Sequence, residues 1–266
     1  MKSPVLSILF LLISVTLLAV PNDFRFRHFS VEDGLSSNSV RAIMQDKYGF
    51  LWIGTEEGLN RYDGIMIKSY SICPQAAGKY ISSLYGTKKN IWIGTDEGIY
   101  IYAYATETFT YFDLTTPNNV RITSIVNHIL QDKDGNLWFS TNGQGLFRYN
   151  LSKNYLEQYE FTSAFGIVAS TMADSDNQIW ALTNQGESGV YKLNKAENKF
   201  EPFGLLYNAG NHHSQALAML EDSEQTLWLG TWECGLQKID KYTRQTTTYL
   251  HPTDGKGVTH IHSLME

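Results

Sequence analysis

The chain has 266 residues, 42% of them hydrophobic and 18% charged, which suffices for a sizeable core and excludes a disordered segment. Its net charge of −6, without a Lys/Arg block, excludes a phosphate-tracking groove, so no nucleic acid is expected as partner. An aromatic fraction of 13% favours half-buried β surfaces, where broad rings pack well.

The first element is a leader over residues 1–21. Lys2 precedes an uncharged apolar stretch from Val5 to Val20, which Pro21 ends. Its 16 residues fall short of the roughly 20 that a spanning helix needs and suit a signal-peptide core. Ala19-Val20 is a poor small-x-small cleavage site, so an uncleaved anchor stays open, and no cysteine follows closely enough for lipoprotein processing. The expectation is export, with membrane association through this segment. Cys73 and Cys234, far apart and both in loops, are expected to be unpaired.

Residues 22–266 repeat. "GFLWIGTEEGLNRYDG" (Gly49 to Gly64) returns as "NIWIGTDEGIYIYA", "NLWFSTNGQGLFRYN", "QIWALTNQGESGVYKLN" and "TLWLGTWECGLQKID". Trp52, Trp92, Trp138, Trp180 and Trp228 are spaced by 40, 46, 42 and 48 residues, the period of a four-stranded propeller blade. In the first unit the strands are Ser39 to Asp46, Phe50 to Thr55, Gly58 to Asp63 and Ile65 to Tyr70. Between them, Asp46 and Asp132 can cap backbone N–H groups, and Gly49 and Gly135 supply the positive φ of a tight turn. The units run over about 39–70, 80–112, 124–160, 167–203 and 215–249, with a sixth starting at 260–266. The predicted fold is all-β: a β-propeller of five complete four-stranded blades plus partial strands, an incomplete ring. "FRFRHF" (Phe24 to Phe29) is expected to be the outer strand of the last blade. "HIHSLME" (His260 to Glu266) aligns with Ser39 to Gln45 as an inner strand. A wedge-shaped gap between the Phe24 strand and the fifth blade, unpaired edges and poor solubility follow from that arrangement.

The pattern from Gln45 to Asp63, repeated at Gln131 to Asn150, resembles the two-component regulator propeller repeat, and "FRHFSVEDGLSSNSV" resembles the usual start of the mature sensor in that family. The second unit departs, because "YGTKKN" (Tyr85 to Asn90) lacks the Gln-Asp, and the fourth carries an enlarged loop, Thr183 to Gly189. The resemblance implies a seven-bladed ring and the periplasmic sensor half of a Bacteroidetes hybrid histidine kinase, on the outer side of the inner membrane. It implies an oligosaccharide ligand, relay to kinase domains that these residues do not contain, the rest of the same receptor as partner, and a homodimer. This region is then not itself an enzyme. A propeller scaffold for dimerisation with ligand bound elsewhere is the alternative, and a glycan-active enzyme ranks below both.

The acids Glu56-Glu57, Asp96-Glu97 and Glu233 recur in corresponding turns, which favours solvated repeat turns over an acidic binding rim. Asp132-x-Asp134 and Asp174-x-Asp176 lack the ligand series of a calcium loop and read as capped turns. His260-x-His262, His251 and the pair His212-His213 show no third metal ligand, so no metal and no cofactor are expected. Trp232 stands out, because it occupies a turn where the other copies carry Glu, Asp or Asn, and its indole offers a flat face to a sugar ring or to a neighbouring blade. Glycoside hydrolysis needs a unique carboxylate pair, whereas these acids recur with the blades. The expected ligand-binding residues are Glu57, Asn142, Asn184 and Trp232, and no catalytic residue is expected.

Overall fold

The computed structural model describes residues 26–72, 79–161, 166–183, 189–205, 216–232, 235–249 and 260–265. The leader, Cys73, Cys234, Asn184 and Glu233 lie outside the described residues. Among the described residues twenty strands form five separate four-stranded antiparallel sheets, each a simple meander. Blade one holds β1 (Val40–Gln45), β2 (Leu51–Thr55), β3 (Gly58–Tyr62) and β4 (Ile67–Tyr70). Blade two holds β5 (Ile81–Gly86), β6 (Asn90–Thr95), β7 (Gly98–Ala103) and β8 (Thr108–Tyr111). Blade three holds β9 (Val126–Gln131), β10 (Leu137–Thr141), β11 (Leu146–Asn150) and β12 (Tyr155–Tyr159). Blade four holds β13 (Val168–Ala173), β14 (Ile179–Thr183), β15 (Gly189–Asn194) and β16 (Lys199–Leu205). Blade five holds β17 (Ala216–Glu221), β18 (Leu227–Thr231), β19 (Leu236–Ile239) and β20 (Thr246–Thr248). Among the described residues the helical content is one 3₁₀ turn, Val31–Asp33.

The inner strands pack in chain order: β1 on β5, β5 on β9, β9 on β13 and β13 on β17. Among the described residues no comparable packing joins β17 to β1, and the arc that they form is open. Exposure records this directly. The first inner-strand residue of blades two to five (Ile81, Val126, Val168, Ala216) is 0% exposed, whereas its blade-one counterpart Val40 is 41% exposed and Ile43 is 66% exposed. Those two side chains lack a preceding blade to pack on.

The small residue in each "WIGT" permits this stacking. A Cβ on Gly54 would stand 2.5 Å from Ile81 Cγ2, and one on Gly94 would stand 2.9 Å from Val126 Cβ and 2.2 Å from Ser83 Oγ. Blade four replaces the glycine by Leu182, and the next blade answers with the small Ala216, both in one buried cluster. Gly94→Ala is therefore expected to destabilise the chain by about 1–3 kcal/mol, the cost of overpacking, read as a lower urea midpoint. An unchanged midpoint would mean that the blades are free to shift apart.

The repeated Asp has a second role beyond turn capping. Asp46, Asp132, Asp174 and Asp222 each accept a hydrogen bond from the blade tryptophan, with Trp52, Trp138, Trp180 and Trp228 Nε1 at 2.8, 2.8, 3.0 and 2.7 Å. The turn position three residues after each Asp takes positive φ whether it is glycine or not: Gly49 at 89°, Gly135 at 83°, Asn177 at 58° and Gln225 at 63°. Blade two lacks the Asp, and Trp92 Nε1 is buried there without a partner.

The ends of the chain depart from the predicted strands. Phe26 to Ser30 are irregular, not part of a ladder. Phe29 packs on Tyr62 at 4.8 Å between ring centroids, and Arg27 Nη1 donates to Tyr62 Oη at 3.2 Å. A strand exists only with a ladder partner, and the described residues supply none here. Residues 260–265 likewise form no ladder. Ile261 nevertheless sits on Gly230 at 2.7 Å from its ideal Cβ and donates its N–H to Thr231 O at 3.0 Å. That is the place Ile81 takes on Gly54, in the register that aligns Ile261 with Val40.

Candidate functional site

One face of the arc is built from the second hairpin of each blade, between the second and third strands. The buried threonines Thr55, Thr95, Thr141 and Thr231 close these hairpins by donating to the carbonyls of Gly58, Gly98, Gly145 and Gly235 at 2.7–3.1 Å. The threonine and glycine of the motif are thus structural, and the residues between them are presented outward. The segments entering each blade reach the same face: Ser36 Oγ bonds Thr55 Oγ1 at 2.8 Å, and Asn142 N–H donates to Ile125 O at 2.9 Å.

Three acids on this face, Glu56, Asp96 and Glu97, stand beside their own cations. Glu56 pairs with Arg41, whose hydrogen bond holds the carboxyl below its ordinary value. Glu97 pairs with Lys79, a lysine with only 8% of its side chain exposed, and Asp96 lies 3.9 Å from the same ammonium. This agrees with solvated, self-compensated repeat turns.

Of the four expected ligand residues, Glu57 and Asn142 are exposed and Asn184 lies outside the described residues. Trp232 is 40% exposed. Glu57, Asn142 and Trp232 occupy corresponding hairpins of blades one, three and five, so the fold gives them one face while no recorded contact joins them. What sequence reasoning missed is the setting of Trp232. His260 meets it edge-on at 4.2 Å and 81°, and His262 at 5.6 Å and 90°, with the two imidazoles nearly parallel at 15°. The H-x-H spacing carried that signal, since alternate residues of an extended segment share a side. No group of three metal-ligating side chains occurs among the described residues.

Three cavities among the described residues lie away from these hairpins, between consecutive blades. One of about 220 Å³ separates blades one and two, one of about 420 Å³ blades two and three, and one of about 340 Å³ blades four and five. Each is lined from two blades, for instance by Arg61 with Tyr102 and Tyr104, so no single repeat announces it.

The family model of the two component regulator propeller matches residues 34–57 and 119–143. Histidine kinase P4 of Formosa agariphila is 46% identical over 68 residues, which are 26% of this chain and 5% of that protein. A solved structure designated the extracellular domain of the hybrid two component system BT3049 of B. thetaiotaomicron superposes with a TM-score of 0.70 at 25% identity. That match covers 84% of this chain and 32% of the other, so the chain spans about a third of the solved relative. A streptogramin B lyase shares the fold alone, with a TM-score of 0.63 at 18% identity over 82% of this chain and 71% of the lyase. The chain carries two-component regulator propeller repeats at residues 34–57 and 119–143, and its five blades are similar to those of the extracellular domain of a hybrid two component system.

Proposed function

We propose that this chain is the periplasmic sensor portion of a hybrid two-component receptor, that it recognises an oligosaccharide on the hairpin face, and that binding is relayed to kinase domains of the same receptor. The observation that carries the ligand class is the exposed Trp232 indole, held edge-on by His260 and His262. A large apolar ring fixed at the surface is suited to stack on a pyranose, and Glu57 and Asn142 offer an acceptor and an amide to its hydroxyls. Binding favours one receptor conformation or dimer state over another by the difference in its affinity for the two.

Binding without turnover is the reading the acids favour. Glycoside hydrolysis needs one carboxyl with a raised pKa beside a second carboxylate. On this face Glu56 and Glu97 are each paired with a cation, and the Glu56 value is lowered.

Calorimetry of the complete receptor ectodomain against a glycan panel is the test. We expect one glycan class to bind and Trp232→Ala to weaken it at least tenfold, about 1.4 kcal/mol. Affinity that survives replacement of Glu57, Asn142, Asn184 and Trp232 together would refute the face, and release of shortened products would establish the enzyme instead.

A further inference from the structure

In four of the five blades the residue paired with the blade tryptophan across the second hairpin is a cation: Arg61, Arg148, Lys192 and Lys238. The next strand then places a residue opposite that cation. In blades three and four it is an acid, Glu157 opposite Arg148 and Glu201 opposite Lys192. Arg148 and Glu157 form an ion pair at 2.5 Å. In blade one the residue opposite Arg61 is Lys68, a like charge. Arg61 enters no ion pair among the described residues, and its Nε is buried without a partner.

This unmatched guanidinium lines the cavity of about 220 Å³ between blades one and two. The walls are aromatic. Arg61 lies 4.5 Å from the Phe50 ring centroid and 5.7 Å from that of Trp52, and Tyr48, Tyr102 and Tyr104 complete the enclosure. Tyr104 Oη is also buried without a partner. Burial first, then the nearby Asp46, pushes its phenol up to about 12, so it remains a donor at neutral pH. A second cation stands at the same walls, with Lys47 Nζ 4.8 Å and 4.6 Å from the Tyr48 and Tyr104 centroids.

Two carboxylates also line the cavity and shape the ligand. Asp46 is engaged internally, accepting from Tyr48 N, Phe50 N and Trp52 Nε1. Glu107 is exposed in the turn after β7 and can accept from a hydroxyl. The volume lies below the range of drug-sized pockets and suits a single ring. Aromatic walls take its faces, a guanidinium takes a carboxylate as a forked donor, and Glu107 takes a hydroxyl proton.

We propose that the cleft between the first and second blades is a ligand site for a hydroxylated ring bearing a carboxylate, of monosaccharide size, with Arg61 as the anion-binding group. It lies on the face opposite Trp232 and does not depend on the hairpin-face reading, because each site has its own knock-out residue.

The probes are D-glucuronate, D-glucose and 4-hydroxybenzoate, titrated calorimetrically into the full chain. We expect saturable glucuronate binding, none with glucose at the same concentrations, and weaker binding of 4-hydroxybenzoate. Arg61→Gln should weaken glucuronate at least tenfold, and Lys192→Gln, at the blade-four cation that already faces Glu201, should leave it unchanged. Tyr104→Phe deletes one hydroxyl while keeping the ring, so it serves even where the arginine variant fails to fold, and it should weaken glucuronate several-fold. No saturable glucuronate binding, equal binding of glucose, tighter binding of 4-hydroxybenzoate, or glucuronate affinity unaltered in Arg61→Gln or Tyr104→Phe would each overturn the assignment.

Discussion

Lys241→Met is expected to lower the unfolding free energy by about 3–5 kcal/mol, the cost of removing one partner from a buried ion pair. Lys241 lies in the turn between β19 and β20 with 3% of its side chain exposed. Its Nζ donates to Asp176 and Glu221 at 2.8 Å each and stands 3.8 Å from Asp174, itself 2% exposed. Asp174 and Asp176 belong to the blade-four turn and Glu221 ends β17, so one ammonium joins blades four and five. Ser175 tightens the joint, donating from its hydroxyl to Glu221 at 3.0 Å. Methionine fills much of the space but leaves Glu221 and the buried Asp174 without their cation.

The pH dependence of that loss has a definite sign. Burial opposes the Lys241 charge, yet the hydrogen bonds to Asp176 and Glu221 outweigh it, and the group is raised above its ordinary 10.5. Its contribution is therefore complete below 10.5 and is lost as pH rises through the higher folded value. On the acid side, the Lys241 hydrogen bond lowers Asp176 from 3.8, so that contribution is present above 3.8 and disappears as pH falls through the folded value. The wild-type and Lys241→Met urea midpoints should differ most at neutral pH and draw together as pH falls below 3.8 and through the lower folded value of Asp176. A difference that stays constant throughout that acid range would show that lost packing, not lost charge, is responsible.

Local and periodic features were legible. The tryptophan spacing identified the blades, and the strands read for the first unit match β1 to β3 to within a residue at either end. The missing Gln-Asp of the second unit was also visible, though only the structure shows that an orphaned indole N–H results. Features made by two blades were not legible. Lys241 meets Asp176 across 65 residues, and neither belongs to a repeated motif at that distance. Arg61 looks like a repeat residue until Lys68 is seen opposite it, where blade three has Glu157. The outer strand expected at Phe24 to Phe29 is absent over its described part, Phe26 to Phe29, for a related reason. Its sequence permits a strand, but a ladder needs a partner that chain order alone does not supply. The candidate site was half legible: the exposure of Trp232 followed from its odd place in the turn, whereas its two histidine neighbours approach from the next unit.

The second large effect concerns the bond between the repeated Asp and the blade tryptophan. Asp132→Ala is expected to cost about 3 kcal/mol, because it strands buried donors that each cost about 1–3 kcal/mol when unpaired. Asp132 is buried at 7% exposure and accepts from Trp138 Nε1, Asn136 N and Asn136 Nδ2 at 2.8–2.9 Å. Blade two supplies the control within the same molecule. Trp92 is buried like Trp138, at 3% against 1% exposure, and packs on Phe112 and Phe139, but its Nε1 has no acceptor. Trp→Phe removes similar ring volume at both positions, whereas only in blade three does it break a hydrogen bond and leave a buried carboxylate short of a donor. In blade two the same change relieves an unpaired N–H. Trp138→Phe should therefore exceed Trp92→Phe in cost by about 1–3 kcal/mol, measured by urea unfolding of the full chain followed by far-ultraviolet circular dichroism. Equal costs at the two positions would show that the tryptophans act through ring packing alone and that the repeated Asp serves only its own turn.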